Sequence, residues 1–162
     1  MRVRNIAMGT DIYGLELGEL PDMVTVEMRM CQILAERKFM EVSGTRRSPG
    51  LFMILALISK NPGQKQSTLA QSVQLDRSTL VPILDYCERE GLLERKPYLG
   101  DRRAHAIFLT RQGKSLVRKL SEKVGELEEQ ISTGMGKRDR QQLLRLLKKF
   151  QASVTSDKST RK

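Results

Sequence analysis

From Leu69 to Gly113 the chain reads LAQSVQLDRSTLVPILDYCEREGLLERKPYLGDRRAHAIFLTRQG, and the order of its turn residues predicts two short helices. The first of these helices ends near Ser72. Asp76 is a good N-cap residue and predicts a second helix from Arg77 to Glu90, which Gly91 closes in the left-handed conformation. Two helices joined by so short a turn are typical of a helix-turn-helix motif.

Two short strands are predicted after the second helix, at Leu92–Lys96 and Ala104–Leu109. The segment Pro97–Arg103 between them is rich in turn residues and is predicted to be too long for a two-residue hairpin loop. Thr110 then predicts the cap of another helix. The stretch is therefore expected to form a helix-turn-helix followed by a small β-hairpin wing.

Helical patterns flank this stretch on both sides. Before it, apolar residues at helical spacing predict one helix over about 22–42 and another over Leu51–Ser59, which is apolar nearly all round and is expected in the core. After it, apolar residues recur at intervals of four and three, as in a helix that packs against a partner helix, and a last helix follows. The members of that seam are Leu116, Leu120, Val124, Leu127 and Ile131. The expected fold class is mainly α with a small β-hairpin wing.

The net charge of +10 is compatible with a nucleic-acid partner, but its distribution does not locate the contact surface. Residues 65–110 carry 7 basic and 6 acidic side chains, whereas residues 111–162 carry 14 and 6. Local clusters of charge must therefore identify the surface. No run of about 18 apolar residues is present that would span a membrane, and the amino terminus has no secretory signal pattern. Both observations predict a cytoplasmic protein.

In their order and spacing, these features resemble the MarR family of bacterial transcription regulators. The resemblance rests on the hydrophobic pattern of the second helix, on GLLER at the start of the first strand, on DRR in the hairpin, and on LT-x-x-G after it. It covers about Asp22 to Val154. It implies a winged helix-turn-helix protein that binds palindromic double-stranded DNA as a homodimer, mostly as a repressor. It also implies that a small ligand or an oxidant releases the DNA.

The residues and the resemblance together imply a domain organisation. The expected parts are an amino-terminal arm at 1–21, one winged helix-turn-helix domain at 22–154 and a frayed tail at 155–162. Within the domain, residues of about 51–110 would form the DNA-binding lobe. The helices at about 22–42 and 111–154 would form the dimer.

Only the amino-terminal turn of the second helix is polar enough to meet base edges, with Arg77, Ser78 and Thr79. Arginine can pair bidentately with guanine, while serine and threonine contact bases or phosphates. The alternative is that Arg77 contacts only phosphate and that Thr79 only supports the cap. These three residues are the predicted contacts in the major groove.

The hairpin carries four cations, Arg95, Lys96, Arg102 and Arg103, and one acid, Asp101. A narrow basic unit of this kind suits the minor groove, and the alternative is a solvated charged loop. In the proteins that it resembles, the aspartate pairs with the second arginine and stiffens the wing. The resemblance therefore implies that Asp101 orients Arg103 and that Arg102 or Arg103 enters the groove.

Arg37 lies on the apolar stripe of the first helix. A cation there could bind the carboxylate or phosphate of an effector in a crevice between the dimer helices and the DNA-binding lobe. Met30, Met53 and Leu57 would supply the apolar walls. The alternative is that Arg37 pairs with a neighbouring acid or extends into solvent. The resemblance implies a small aromatic acid or its thioester as the effector.

Cys31, on the first helix, offers an oxidant sensor, because some similar proteins carry a reactive cysteine there. The residue pattern favours the alternative, a small packed residue beside the apolar stripe. Cys87 is expected to be inert core. His105 is expected to face solvent or phosphate, because no clustered carboxylates or thiols accompany it for a metal site.

No pairing of a nucleophile with a base, no phosphate-binding loop and no carboxylate pair is recognisable, so neither an enzyme nor a cofactor is expected. The sequence predicts a ligand-responsive, DNA-binding repressor that acts as a homodimer. One alternative is a thiol-based repressor that uses Cys31. Another is a winged-helix module for protein contacts, without sequence-specific DNA binding.

Overall fold

The structure, a computed structural model, describes residues 15–44 and 49–155, and at Arg102 and Arg103 it describes the backbone alone. Most of the predicted arm and tail, residues 1–14 and 156–162, lie outside the described residues. The chain divides into two compact units, Met1–Leu51 and Phe52–Lys162.

The first unit contains helix α1, Val24–Ser43. A short 3-10 turn, Leu20–Asp22, precedes it. Gly44 ends α1 in the left-handed conformation, with φ of +63°, which a glycine adopts without a steric penalty. Phe39 is buried on this helix. The helix predicted over about 22–42 is confirmed within two residues at each end.

Helix α2, Pro49–Lys60, contributes central side chains of the second unit from Phe52 onwards. Ile54, Leu55 and Ile58 are at most 1% exposed, as expected of a helix that is apolar nearly all round. Met53 is 46% exposed, so α2 also has an open side in this chain.

Helices α3, Gln66–Ser72, and α4, Arg77–Arg89, form the predicted helix-turn-helix. Asp76 is the N-cap residue of α4, but its main-chain carbonyl, not its carboxylate, accepts the hydrogen bonds, which the N–H groups of Thr79 and Leu80 donate. The two helices share an apolar core. The side chains that they bury are Leu69, Ala70, Leu80, Leu84 and Cys87.

The wing is a three-stranded antiparallel sheet in the order β1–β3–β2. Strand β2 is Leu93–Tyr98 and strand β3 is Asp101–Leu109. Strand β1, Gln64–Lys65, was not predicted, and it pairs with Ile107 and Ala106 of β3. Through β1, the wing is hydrogen-bonded to the residues that lead into α3.

The connection in the hairpin is shorter than predicted. Only Leu99 and Gly100 separate the two strands, so the expectation of a long connection over Pro97–Arg103 is wrong. Pro97 remains in a strand because β2 is an edge strand, where a missing N–H costs least. Gly100, with φ of +87°, makes the tight turn that a residue with a side chain would resist.

Helix α5, Arg111–Met135, follows the wing, and helix α6, Lys137–Thr155, follows α5. Thr110 caps α5 as predicted. Its hydroxyl accepts a hydrogen bond from the N–H of Gly113 at 3.1 Å and donates one to the carbonyl of Gly91 at 2.6 Å. None of the helices in the described part of the chain is long and apolar enough to cross a bilayer.

Candidate nucleic-acid interface

The amino-terminal turn of α4 presents the three predicted major-groove residues at the surface. Arg77, Ser78 and Thr79 are all exposed, while Leu80, immediately after them, is fully buried. The first N–H groups of a helix have no partners within it, and this end carries a partial positive charge. One surface therefore combines a cation, two hydroxyls and the positive end of a helix dipole.

The guanidinium of Arg77 is open to an external anion, since no residue that the structure describes forms an ion pair or hydrogen bond with it. It lines a cavity of about 360 Å³ between α3, the start of α4 and β3. Lys65 and the exposed His105 lie on the same cavity, together with Gln66, Ser67, Ala70, Gln71, Leu75, Asp76 and Ala104. The cavity shows that both helices of the motif and the central strand of the wing share one surface.

The register of the wing breaks where the arginine pair lies. Pro97 pairs with His105, but the next residue, Tyr98, pairs with Asp101. Residues 102–104 are therefore displaced from the regular ladder between β2 and β3. An irregularity of this kind bends a strand and increases its twist. It places the backbone of the two predicted groove arginines at the end of the hairpin.

Lys65 links the end of the hairpin to the start of α3, and it was not among the predicted residues. Its Nζ lies 3.1 Å from Oδ2 of Asp101 and 4.5 Å from the centre of the Tyr98 ring. Both partners flank the hairpin turn. The role that the resemblance implies for Asp101 involves the side chain of Arg103, which lies outside the described residues. Lys65 is a partner of Asp101 that the structure does describe.

Arg95 and Lys96, both predicted as DNA contacts, have different surroundings. The guanidinium of Arg95 donates hydrogen bonds to Asp85 at 2.6 Å and to Glu88 at 2.5 Å, and its side chain is 18% exposed. Lys96 is 55% exposed, and its Nζ lies 2.8 Å from Oε1 of Glu94. Arg95 thus joins β2 to α4, whereas Lys96 lies at the surface of β2.

The predicted effector residues lie on two helices. Met30 and Arg37 are exposed on α1 in the first unit. Met53 is exposed and Leu57 half-buried on α2 in the second unit. Within the described residues, no acid forms an ion pair with Arg37, so the alternative pairing with a neighbouring acid is not formed there. The effector pocket itself stays a prediction.

The two cysteines differ in their surroundings. Cys87 is buried in the core, as predicted. Cys31 is exposed on α1, so the packed position that its sequence pattern favours is wrong for the single chain. Apolar residues of the same helix are also open in the single chain, since Met30 and Leu34 are 45% and 50% exposed, so a position beside the apolar stripe is not packed there.

The site defines a class of protein. The second helix of a helix-turn-helix exposes a polar, basic amino end, and an antiparallel wing that carries four cations follows it. That arrangement is the one by which winged helix-turn-helix proteins bind duplex DNA.

Comparisons with known proteins narrow the class to a family. The profile of the MarR family matches residues 48–105. A putative transcriptional regulatory protein for the hcr operon of Thauera aromatica is 30% identical over 143 residues, which make up 87% of this chain and 86% of that protein. The chain belongs to the MarR family and is a DNA-binding transcription regulator, not an enzyme.

Solved structures confirm the fold. The transcriptional repressor CouR, bound to a 23-mer DNA duplex, is 27% identical with a TM-score of 0.77, over 84% of this chain and 97% of that one. CouR bound to p-coumaroyl-CoA is 25% identical with the same TM-score of 0.77, over 88% and 99%. The predicted class, mainly helical with a β wing, is therefore correct, with a third strand added to the wing.

Proposed function

We propose that the chain is a repressor that binds a pseudo-palindromic operator as a homodimer and leaves it when a small effector binds. The observation that carries the proposal is the exposed turn Arg77–Thr79 at the start of α4, on the same surface as the wing. In a helix-turn-helix, the amino end of the second helix contacts bases in the major groove. Two such helices related by a two-fold axis would read half-sites whose centres lie about 10 bp apart.

The predicted contacts other than Arg95 receive the following roles in this proposal. Arg77 pairs with a guanine or with a phosphate, and the two hydroxyl residues after it contact bases or phosphates. Arg102 or Arg103 enters the minor groove from the end of the hairpin, and Asp101 braces that end. Lys96, exposed on β2, reaches a phosphate.

Exposed apolar side chains on α5 and α6 support a homodimer. Five of them are between 38% and 48% exposed: Ile131, Met135, Leu143, Leu144 and Leu146. A second copy of the chain would remove this apolar surface from water. We therefore propose that the helices at about 22–42 and 111–154 form the dimer and that residues of about 51–110 form the DNA-binding lobe.

An aromatic acid or its thioester is the proposed effector. The support is the similarity to CouR, which has been solved with p-coumaroyl-CoA. Arg37 would bind the carboxylate or a phosphate of the effector, and Met30, Met53 and Leu57 would contact its apolar part. DNA is released if the effector binds more tightly to a conformation in which the two α4 helices are wrongly spaced for the operator.

The DNA-binding part of the proposal is tested on an operator selected from random duplexes. Affinity is measured for the operator and for a scrambled duplex at several salt concentrations. Replacing Arg102 and Arg103 together by alanine should weaken operator binding and reduce the log–log salt slope by about 0.9 for each lost phosphate contact. Unchanged affinity and slope would refute the wing assignment. Equal wild-type affinity for both duplexes favours the protein-interaction module.

The effector part is tested by release of the bound operator. p-Coumaroyl-CoA and free p-coumarate are expected to release wild-type protein, and Arg37→Ala should require a higher concentration. Release by peroxide is measured in parallel, because Cys31 is exposed and accessible to an oxidant. If only peroxide released the operator, and Cys31→Ser abolished that release, the protein would be a thiol-based repressor and not one that responds to a small effector.

A further inference from the structure

The sequence predicts Arg95 as a DNA contact, yet its guanidinium binds two carboxylates of α4. Nη1 donates to Oε2 of Glu88 at 2.5 Å, and Nη2 donates to Oδ1 of Asp85 at 2.6 Å. Hydrogen bonds between charged groups at such distances are at the strong end of the range in proteins. The Arg95 side chain is 18% exposed. It would have to leave both acids to reach a phosphate.

Arg95 adds a side-chain contact to the main-chain bond by which α4 continues into the wing. In the first of these contacts, the N–H of Leu92, the residue before β2, donates to the carbonyl of Cys87 at 2.8 Å. The second is Arg95, which lies further along β2 and returns to α4 at Asp85 and Glu88. Those acids are three residues apart and therefore share one face of the helix. A strand attached to a helix at two points cannot rotate freely about either of them.

We propose that Arg95 is a positioning residue that holds the wing at a fixed angle to α4. The inference rests on the proposed function, because it requires that α4 and the wing contact the same duplex. At a fixed angle, Arg77 reaches the major groove while the end of the hairpin reaches the adjacent minor groove. Without the attachment, the wing would have to become ordered when it binds DNA, and the entropy lost in that step would weaken binding.

The exposure of the two acids separates this role from a general contribution to stability. Asp85 and Glu88 are 53% and 40% exposed, although Arg95 is only 18% exposed, so the two ion pairs contribute modestly to the free energy of unfolding. Loss of the attachment should therefore lower the melting temperature by only a few degrees. Its main effect is expected on the preference for the operator over a scrambled duplex.

The decisive variant combines Asp85→Asn with Glu88→Gln, because a DNA contact and a positioning role predict opposite results for it. If Arg95 contacted DNA, loss of the competing carboxylates would free its guanidinium and strengthen operator binding. If Arg95 positions the wing, the operator preference falls by about tenfold, the size of one well-placed base contact. An unchanged or increased preference overturns the proposal.

Further variants complete the test. Glu16→Gln with Glu19→Gln, at two exposed positions before α1, changes the net charge by the same amount, and it should leave the operator preference unchanged. Arg95→Met should reduce the operator preference as much as the combined Asp85→Asn and Glu88→Gln variant does, while Arg95→Lys should retain part of that preference. The salt slope of Arg95→Met should stay at the wild-type value, and a decrease of about 0.9, the slope of one phosphate contact, also overturns the proposal. A wild-type protein that binds both duplexes equally overturns the proposed function instead.

Discussion

Nζ of Lys65 lies 3.1 Å from Oδ2 of Asp101, although 36 residues separate the two in the chain. Lys65 pairs in the sheet with Ala106. If the regular register of β2 and β3 continued, Ala104 would face Tyr98, but Asp101 takes that place. The register break thus brings Asp101 back along the sheet towards Lys65. The ion pair joins the end of the hairpin to the start of α3.

Lys65→Met is expected to loosen the end of the hairpin. The ion pair is partly exposed and contributes about 0.2–1 kcal/mol, and the contact with the Tyr98 ring adds about 0.5–1 kcal/mol. The free energy of unfolding should therefore fall by about 1 kcal/mol in urea denaturation. A double-mutant cycle with Asp101→Asn isolates the ion pair. A coupling free energy of zero would show that the two side chains act independently.

Gly113 lets the start of α5 approach the start of β2. A Cβ at this position would lie 1.9 Å from the carbonyl oxygen of Leu92, a main-chain atom that cannot turn aside. Gly113→Ala is therefore expected to lower the free energy of unfolding by about 3 kcal/mol, at the upper end for an overpacked core. Urea denaturation measures the change.

Gly125→Ala, in the same helix, is the matched control for Gly113→Ala. A Cβ at Gly125 would meet nothing within 4 Å in this chain. Alanine favours a helix interior over glycine by up to about 1 kcal/mol, so this variant should be as stable as the wild type or more stable. Equal destabilisation by the two substitutions would contradict the close approach at Gly113.

The parts of the fold that could be predicted have local signals. Thr110 caps α5 and Gly91 takes the left-handed conformation because capping depends on a few neighbouring residues. Strand β1 has two residues and therefore no periodicity to detect. Pro97 was predicted to lie in a loop, because proline is rare inside a sheet. It is tolerated here because β2 is an edge strand, and the order of the strands is not visible in the local sequence.

The same distinction holds for the site. The exposed turn that begins with Arg77 could be predicted because its three polar residues directly follow the N-cap Asp76 in the chain. Lys65 was missed because its partner, Asp101, is distant in the chain. Arg95 was counted with the DNA contacts because its charge is visible in the sequence, while its attachment to Asp85 and Glu88 depends on how β2 returns along α4.

Gln74, in the turn between α3 and α4, has φ of +54°. A residue with a side chain is strained there by about 1–2 kcal/mol, whereas glycine costs about 0.5–1 kcal/mol in backbone entropy. Gln74→Gly should therefore raise the free energy of unfolding by up to about 1 kcal/mol in urea denaturation. Gln71→Gly inside α3 is the control and should lower it by about 1 kcal/mol. Destabilisation by both variants would show that the turn gains nothing from glycine.

Arg77→Ala separates base contact from phosphate contact at the start of α4. If Arg77 pairs bidentately with a guanine, operator binding weakens by about 1–3 kcal/mol and the preference at one base pair is lost. If it contacts only phosphate, affinity falls equally for operator and scrambled duplexes, and the salt slope decreases by about 0.9. Fluorescence anisotropy with single-base variants of the operator measures both quantities.

Arg77→Lys sharpens that result, because lysine keeps the charge but not the planar pair of donors. A base contact predicts that the lysine variant loses the preference at the same base pair as the alanine variant. A phosphate contact predicts that it keeps nearly all of the wild-type affinity. If Arg77→Ala retained the full preference at every base pair, Arg77 would be removed from the proposed base contacts, and Ser78 and Thr79 would remain as the candidates on the exposed turn of α4.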